Sequence, residues 1–87
     1  MRTPEDYANG IGIPLELIRG KSRKLHVAIA RDVYWRYLRQ RGVKLTAIAA
    51  MFDRKAHSTV HSGIKHAENL ISCKDVIATP FQRIIDA

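Results

Sequence analysis

The sequence predicts an all-α fold: a small helical bundle containing a helix-turn-helix, with a basic loop before the long helix. Three observations carry this. Apolar residues recur at helical spacing over 25–41, 45–52 and 56–71. Pro14, Gly20 and Gly42 stand between or beside the periodic stretches, where they start or stop helices. Finally, 45–52 and the next helix are joined only by a tight connection at Asp53-Arg54-Lys55, and Ala49 is small enough to let a second helix cross closely.

A chain of 87 residues fits one domain, expected here to span 1–87. A chain of this size buries only roughly 60–65% of its unfolded surface, so there is room for one core and one binding face but hardly for a buried active site. The hydrophobic fraction of 46% is that of a globular chain. The formal net charge is +7, and the basic residues gather in 19–24, 36–44 and 54–55, a distribution that points to nucleic acid or an anionic surface. The single cysteine, Cys73, excludes an internal disulfide, suits a reducing cytosol, and is expected to be a partly buried apolar residue. No apolar run reaches the roughly 18 residues of a membrane span, and the N-terminus lacks a signal-peptide stretch.

In chain order, Thr3 is a natural N-cap, Pro4 a natural first helical residue, and Glu5 and Asp6 suit the positive end of a short helix over 3–9 that Gly10 and Gly12 end. Leu15–Arg19 forms a second short helix, stopped by Gly20. Both are too short to stand alone and must pack on something longer. Gly20–Lys24 is the basic loop. The long helix follows over 25–41, with Val27, Ala30, Tyr34 (or Val33), Tyr37 and Leu38 on its apolar stripe and Gly42 as its C-cap. At that spacing Tyr34, Trp35 and Tyr37 read as core rather than as a base-stacking platform. In 45–52, Leu45, Ile48, Ala49 and Phe52 share a face; in 56–71, Val60, Ile64, Ala67 and Ile71 do. Residues 75–87 form a C-terminal helical extension with Val76, Ile77, Phe81, Ile84 and Ile85 as its apolar side, and Pro80 either kinks it or begins a shorter helix capped by Thr79.

Several motifs invite chemistry. Gly20-Lys21-Ser22 ends like a phosphate loop, but Leu15 stands where that motif needs glycine and no buried strand precedes it, so no nucleotide cofactor is expected. His57 and His61 lie one helical turn apart, with His66 and Cys73 further on, but a metal site needs three or four convergent ligands, and none is expected. There is neither a carboxylate pair nor a Ser-His-Asp set, so the chain reads as a binding protein, not an enzyme. The helix over 56–71 sets a packed stripe against a polar, basic face of short side chains, which is what a major-groove reader requires.

The residues reached so far resemble the C-terminal DNA-binding domain of the bacterial replication initiator DnaA. GKSRK (Gly20–Lys24) is similar to the family's basic loop, LTAIAAMF (Leu45–Phe52) to its LPEIGRAF, and RKAHSTVHSGIKHAENL (Arg54–Leu70) to its signature GRDHTTVLHAVRKIEEL. The resemblance covers roughly 7–71. It implies an all-helical bundle that binds, as a monomer, an asymmetric duplex box related to TTATNCACA. By position it implies that Arg23 enters the minor groove with Lys21 and Lys24 on the backbone beside it. It further implies that Arg31 matches the arginine of an Arg-Gln pair, that Thr46 lies near a thymine methyl, and that Lys55 matches a basic contact. His57, Ser58 and Thr59 match a His-Thr-Thr that touches base edges and phosphates, and Ser62 stands where the family has a second histidine.

Other positions depart from the pattern. Ala56 replaces the signature's base-reading Asp, which can accept from cytosine N4, and Asp53-Arg54 replace a glycine pair. The resemblance therefore implies duplex binding with an altered or looser site, in a stand-alone, cytoplasmic and nucleoid-associated relative that regulates replication initiation or transcription. The rival expectations are an adaptor whose basic face takes an acidic protein partner, and RNA binding.

Overall fold

The computed structural model describes residues 2–22 and 24–86. Among the described residues lie six helices and no strand: α1 (Pro4–Ile11), α2 (Leu15–Arg19), α3 (Leu25–Gln40), α4 (Leu45–Met51), α5 (His57–Ser72) and α6 (Ala78–Asp86). The expected all-α bundle is present, with α4 and α5 as the helix-turn-helix.

Helix α3 is the axis of the molecule. It packs most extensively on α5 and also touches α2, α4 and α6, while α1 and α6 close the far side. Val27, Ala30, Val33, Tyr34, Trp35, Tyr37 and Leu38 are buried as read from the sequence, and so are Ile29 and the charged Asp32. The middle of α3 is covered on nearly every side rather than along one stripe. Each such large side chain contributes about 1.5–3 kcal/mol on burial, and five of the ten largest fully buried side chains lie on this helix, more than on any other.

Aromatic residues join the layers. Tyr7 of α1 stacks on Tyr34 at 5.2 Å between ring centroids, and Phe52 meets Trp35 edge-on at 5.6 Å. The polar ends of the rings are used as well. The Tyr7 hydroxyl donates to the Ala30 carbonyl at 2.7 Å, the Tyr34 hydroxyl donates to the Arg2 carbonyl at 2.8 Å, and the Arg2 amide donates to the Tyr37 hydroxyl at 2.8 Å. Burial raises the pKa of both Tyr7 and Tyr34, that of Tyr34 to about 12, so both remain neutral donors.

The helix ends follow a shared logic. Thr3 caps α1 by accepting from the Asp6 amide at 3.1 Å, with Pro4 at the first helical position. Helices α3, α4 and α5 each close with a residue in the left-handed region: Gly42 (φ 89°), Asp53 (φ 53°) and Lys74 (φ 55°). In each, the following amide reaches back to the third-last helical carbonyl: Val43 to Leu38 at 3.1 Å, Arg54 to Ala49 at 2.8 Å and Asp75 to Leu70 at 2.9 Å. This closure replaces the glycine that the turn after α4 lacks.

Four details differ from the sequence reading. Helix α1 runs through Gly10 to Ile11, because Gly10 sits against Ile84 of α6, and it is Gly12 (φ 72°) that ends it. Pro80 neither kinks α6 nor starts it. It occupies the third position, inside the first turn, where its missing N–H costs no helix bond, and the Asp75 side chain caps the Ile77 and Ala78 amides, both at 3.0 Å. Val76 is not on the apolar side of α6; it precedes the helix and is 84% exposed. Cys73 is exposed rather than partly buried: it is the C-cap of α5, and two residues past Ile71 it falls on the opposite side of the helix.

Candidate nucleic-acid interface

The basic loop, the N-terminal half of α3, the α4–α5 turn and the start of α5 enclose a cleft of about 730 Å³. Its walls carry Lys21 and Ser22 of the loop, Ala28 and Arg31 of α3, Asp53 to Ala56 of the turn, and Thr59 of α5. Four of these nine residues are cations and one is an anion, so the cleft is a positive trough. Lys21, Arg31, Lys55 and Thr59, all predicted from the sequence, meet here. Lys24, Thr46, His57, Ser58 and Ser62 are exposed but do not line it; Lys24 is the N-cap residue before α3, Thr46 lies in the first turn of α4, and the other three project from the first turns of α5. Arg23 lies outside the described residues.

The amphipathic reading of α5 accounts for this placement. Val60, Ile64 and Ala67 are buried against the core, Ile71 partly so, which leaves His57, Ser58, Thr59, His61, Ser62 and Lys65 facing outward. Ala56 occupies the N-cap position with extended backbone (φ −113°, ψ 129°), but no side chain caps the helix. The positive end of a sixteen-residue helix therefore opens into the trough beside Lys55.

Sequence reasoning missed two features. The first is the placement of Arg54. Its Nη2 donates to the Gly20 carbonyl at 2.8 Å, and its Nη1 donates to the carbonyls of Phe52 at 2.6 Å and Arg19 at 3.3 Å. Arg31 Nη1 donates to the same Gly20 carbonyl at 3.2 Å. Both guanidiniums lie over the Trp35 ring, at 5.3 Å for Arg31 and 5.7 Å for Arg54. The second is the counter-charge behind them, buried Asp32, hydrogen-bonded to His66 at 3.1 Å. Burial lowers the Arg31 pKa, Asp32 raises it, and the neighbouring Arg54 charge lowers it further. Glycine at 63 was the available signal: a glycine on the buried face of a helix marks a close approach, here to Asp32 and Trp35.

The basic cluster at 36–44 lies at the other end of α3. Arg41 stacks over Tyr37 at 4.7 Å, and Arg39 Nη1 donates to the Val43 carbonyl at 3.3 Å. Among the described residues no group of three or more His, Cys, Asp or Glu side chains gathers as a metal site, and no helix is long and apolar enough to cross a membrane.

A helix-turn-helix whose second helix presents a polar face beside a basic trough belongs to the class of helix-turn-helix nucleic-acid-binding domains. Comparison with family models places it further: the model described as bacterial dnaA protein helix-turn-helix matches residues 7–66, and the chain belongs to that family. Searches of curated proteins and of solved structures found no match. Family membership points to DNA binding.

Proposed function

We propose that the protein binds double-stranded DNA with a sequence preference, as a monomer, with α5 in the major groove and the basic loop in the adjacent minor groove. The observation that supports this best is the trough, which sets loop residue Lys21, turn residue Lys55 and the uncapped start of α5 around one space. A phosphodiester strand running between two grooves is the polyanion that such a space accommodates. In this reading Lys21, Lys24 and Lys55 hold phosphates, with Arg31 at the trough wall behind them. His57, Ser58 and Thr59 meet base edges, Ser62 lies one turn further along α5, and Thr46 approaches from α4. Arg23, between Lys21 and Lys24 in sequence, is the minor-groove reader. The buried state of Tyr34, Trp35 and Tyr37 argues against the stacking that single-stranded RNA recognition uses. The biological setting proposed is the nucleoid, in control of replication initiation or transcription at sites related to the initiator's box.

The test is binding, followed across salt, to duplex DNA, single-stranded DNA and RNA of matched length. Duplex preference with a steep salt dependence is expected. Duplexes selected from a random pool then separate the roles. Thr59→Ala should lose affinity for the selected site by about tenfold while barely affecting random duplex, the scale of one base contact, whereas Lys24→Ala should weaken both alike. No duplex binding at low salt would end the proposal, and a preference for RNA or for an acidic polypeptide would replace it.

A further inference from the structure

Arg54 is a cation that lines the trough and yet spends its hydrogen bonds on the protein itself. Its backbone is fixed by the bond from its amide to the Ala49 carbonyl at 2.8 Å, which closes α4. Its guanidinium is fixed by three carbonyls, and two of them, Arg19 and Gly20, are the last of α2 and the first of the basic loop. One side chain in the α4–α5 turn thus holds the point from which the loop departs, across a sequence separation of 34–35 residues. Arg31 grips the same Gly20 carbonyl from α3, and the Trp35 ring supports both guanidiniums.

We infer that Arg54 is a positioning residue that fixes the basic loop relative to the start of α5, so that selectivity between DNA sequences depends on its hydrogen bonds and not merely on its charge. The inference rests on the proposed duplex binding, but its structural half does not. A reader built from two parts discriminates only if both reach their grooves in one register. A loop freed at Gly20 still offers its lysines to phosphates but no longer presents them at a fixed offset from α5. Lysine separates the two properties, because it keeps the positive charge and lacks the planar fork that reaches several carbonyls at once.

The experiment compares wild type with Arg54→Lys and Arg54→Ala, in two arms. In the first, without DNA, hydrogen exchange of the Gly20 amide, bonded to the Glu16 carbonyl at 2.9 Å, is followed against core amides of α3. Both variants should exchange faster at Gly20 while α3 amides stay protected. Unchanged exchange at Gly20, or a uniform loss of protection, overturns the inference. In the second, binding is measured to a duplex selected by the wild-type protein and to random duplex of equal length. Arg54→Lys should lose about tenfold more on the selected duplex than on random duplex, the scale of one mismatched pair, with the salt slope kept. Equal losses on both duplexes would make Arg54 a simple phosphate contact and overturn the inference. If wild type selects no duplex at all, the proposed function fails, and the exchange arm still decides whether Arg54 holds the loop.

Discussion

His66 of α5 reaches Asp32 of α3 across the main helix–helix contact: its Nδ1 lies 3.1 Å from the carboxylate Oδ2. A carboxylate has no hydrogen to give, so the ring nitrogen is the donor. Asp32 is only 6% exposed, whereas the His66 side chain is 49% exposed, so one end of the pair is dry and the other wet. The pair joins the helix that bears the proposed reading face to the axis of the fold.

The pair makes stability depend on pH in a defined direction. Burial raises the Asp32 pKa above its ordinary 3.8, and the hydrogen bond from His66 with the charges of Arg31, His66 and Arg54 opposes this without cancelling it. An acid held above its unfolded pKa binds its proton more tightly when folded. Its contribution is complete below the unfolded value and is lost as pH rises through the folded one. Asp32→Asn cannot lose such a proton, so its stability relative to wild type should climb from pH 4 upward and level off once Asp32 is ionised in the folded protein. Urea melts at pH values from 4 to 7 measure the difference, and a difference constant with pH would show that Asp32 titrates normally.

Gly63 is a steric prediction. A β-carbon there would fall 2.6 Å from Asp32 Oδ1 and 2.7 Å from Trp35 Cε3, and neither neighbour is the free end of a flexible chain. Gly63→Ala must therefore push α5 away from α3 or displace the indole. Overpacking of this kind costs about 1–3 kcal/mol, against which alanine's helix preference returns at most about 1 kcal/mol. The melting temperature should fall by several degrees. An unchanged or higher melting temperature would mean that the α3–α5 contact is looser than the structure describes.

Lys74 offers the opposite change. It closes α5 at φ 55°, in the region that L-residues enter at a cost of roughly 1–2 kcal/mol. Its side chain is exposed, and the bond that fixes the turn comes from its backbone amide, to Ile71 at 3.0 Å. Glycine makes the same turn without the steric penalty but loses more chain entropy on folding, roughly 0.5–1 kcal/mol. The net expectation for Lys74→Gly is a gain of about 0.5–1 kcal/mol, read as a higher melting temperature. A loss would show that the lysine side chain contributes there.

How much of this was legible in the sequence depended on how local the cause was. Thr3, Pro4 and the apolar spacing of α5 act within one or two turns, and the structure has them as read. The aromatic residues of α3 were readable as core because their periodicity outweighs any surface role. Asp32 and Arg54 were not readable, because polar side chains in a basic chain look solvent-facing until the contacting partner is known. For Asp32 that partner is on α5, and for Arg54 it is the end of α2, each more than 30 residues away along the chain. The trough was half legible: spacing identified α5 and the basic loop separately, and only the folded chain shows that they face one space. Cys73 shows the reverse failure, since residue type favoured burial and its place at the C-cap of α5, two residues past Ile71, turns it to solvent.

The most informative single change is Ala56→Asp. Ala56 already has the extended backbone of an N-cap residue and lacks only the acceptor. Aspartate there can bond the free amides of the first turn of α5, worth about 0.5–2 kcal/mol, and its charge suits the positive helix end. Folding should therefore become more stable. Binding should respond in two ways at once. A carboxylate in the trough beside Lys55 repels phosphate, so affinity for random duplex should fall several-fold. The same carboxylate can accept from cytosine N4, so sites selected from a random pool should gain a cytosine preference worth about 1–3 kcal/mol. A higher melting temperature with unchanged affinity for random duplex would show that the start of α5 does not face DNA. Weaker binding without a new cytosine preference would mean that α5 meets the backbone there and reads bases only from Thr59 onward.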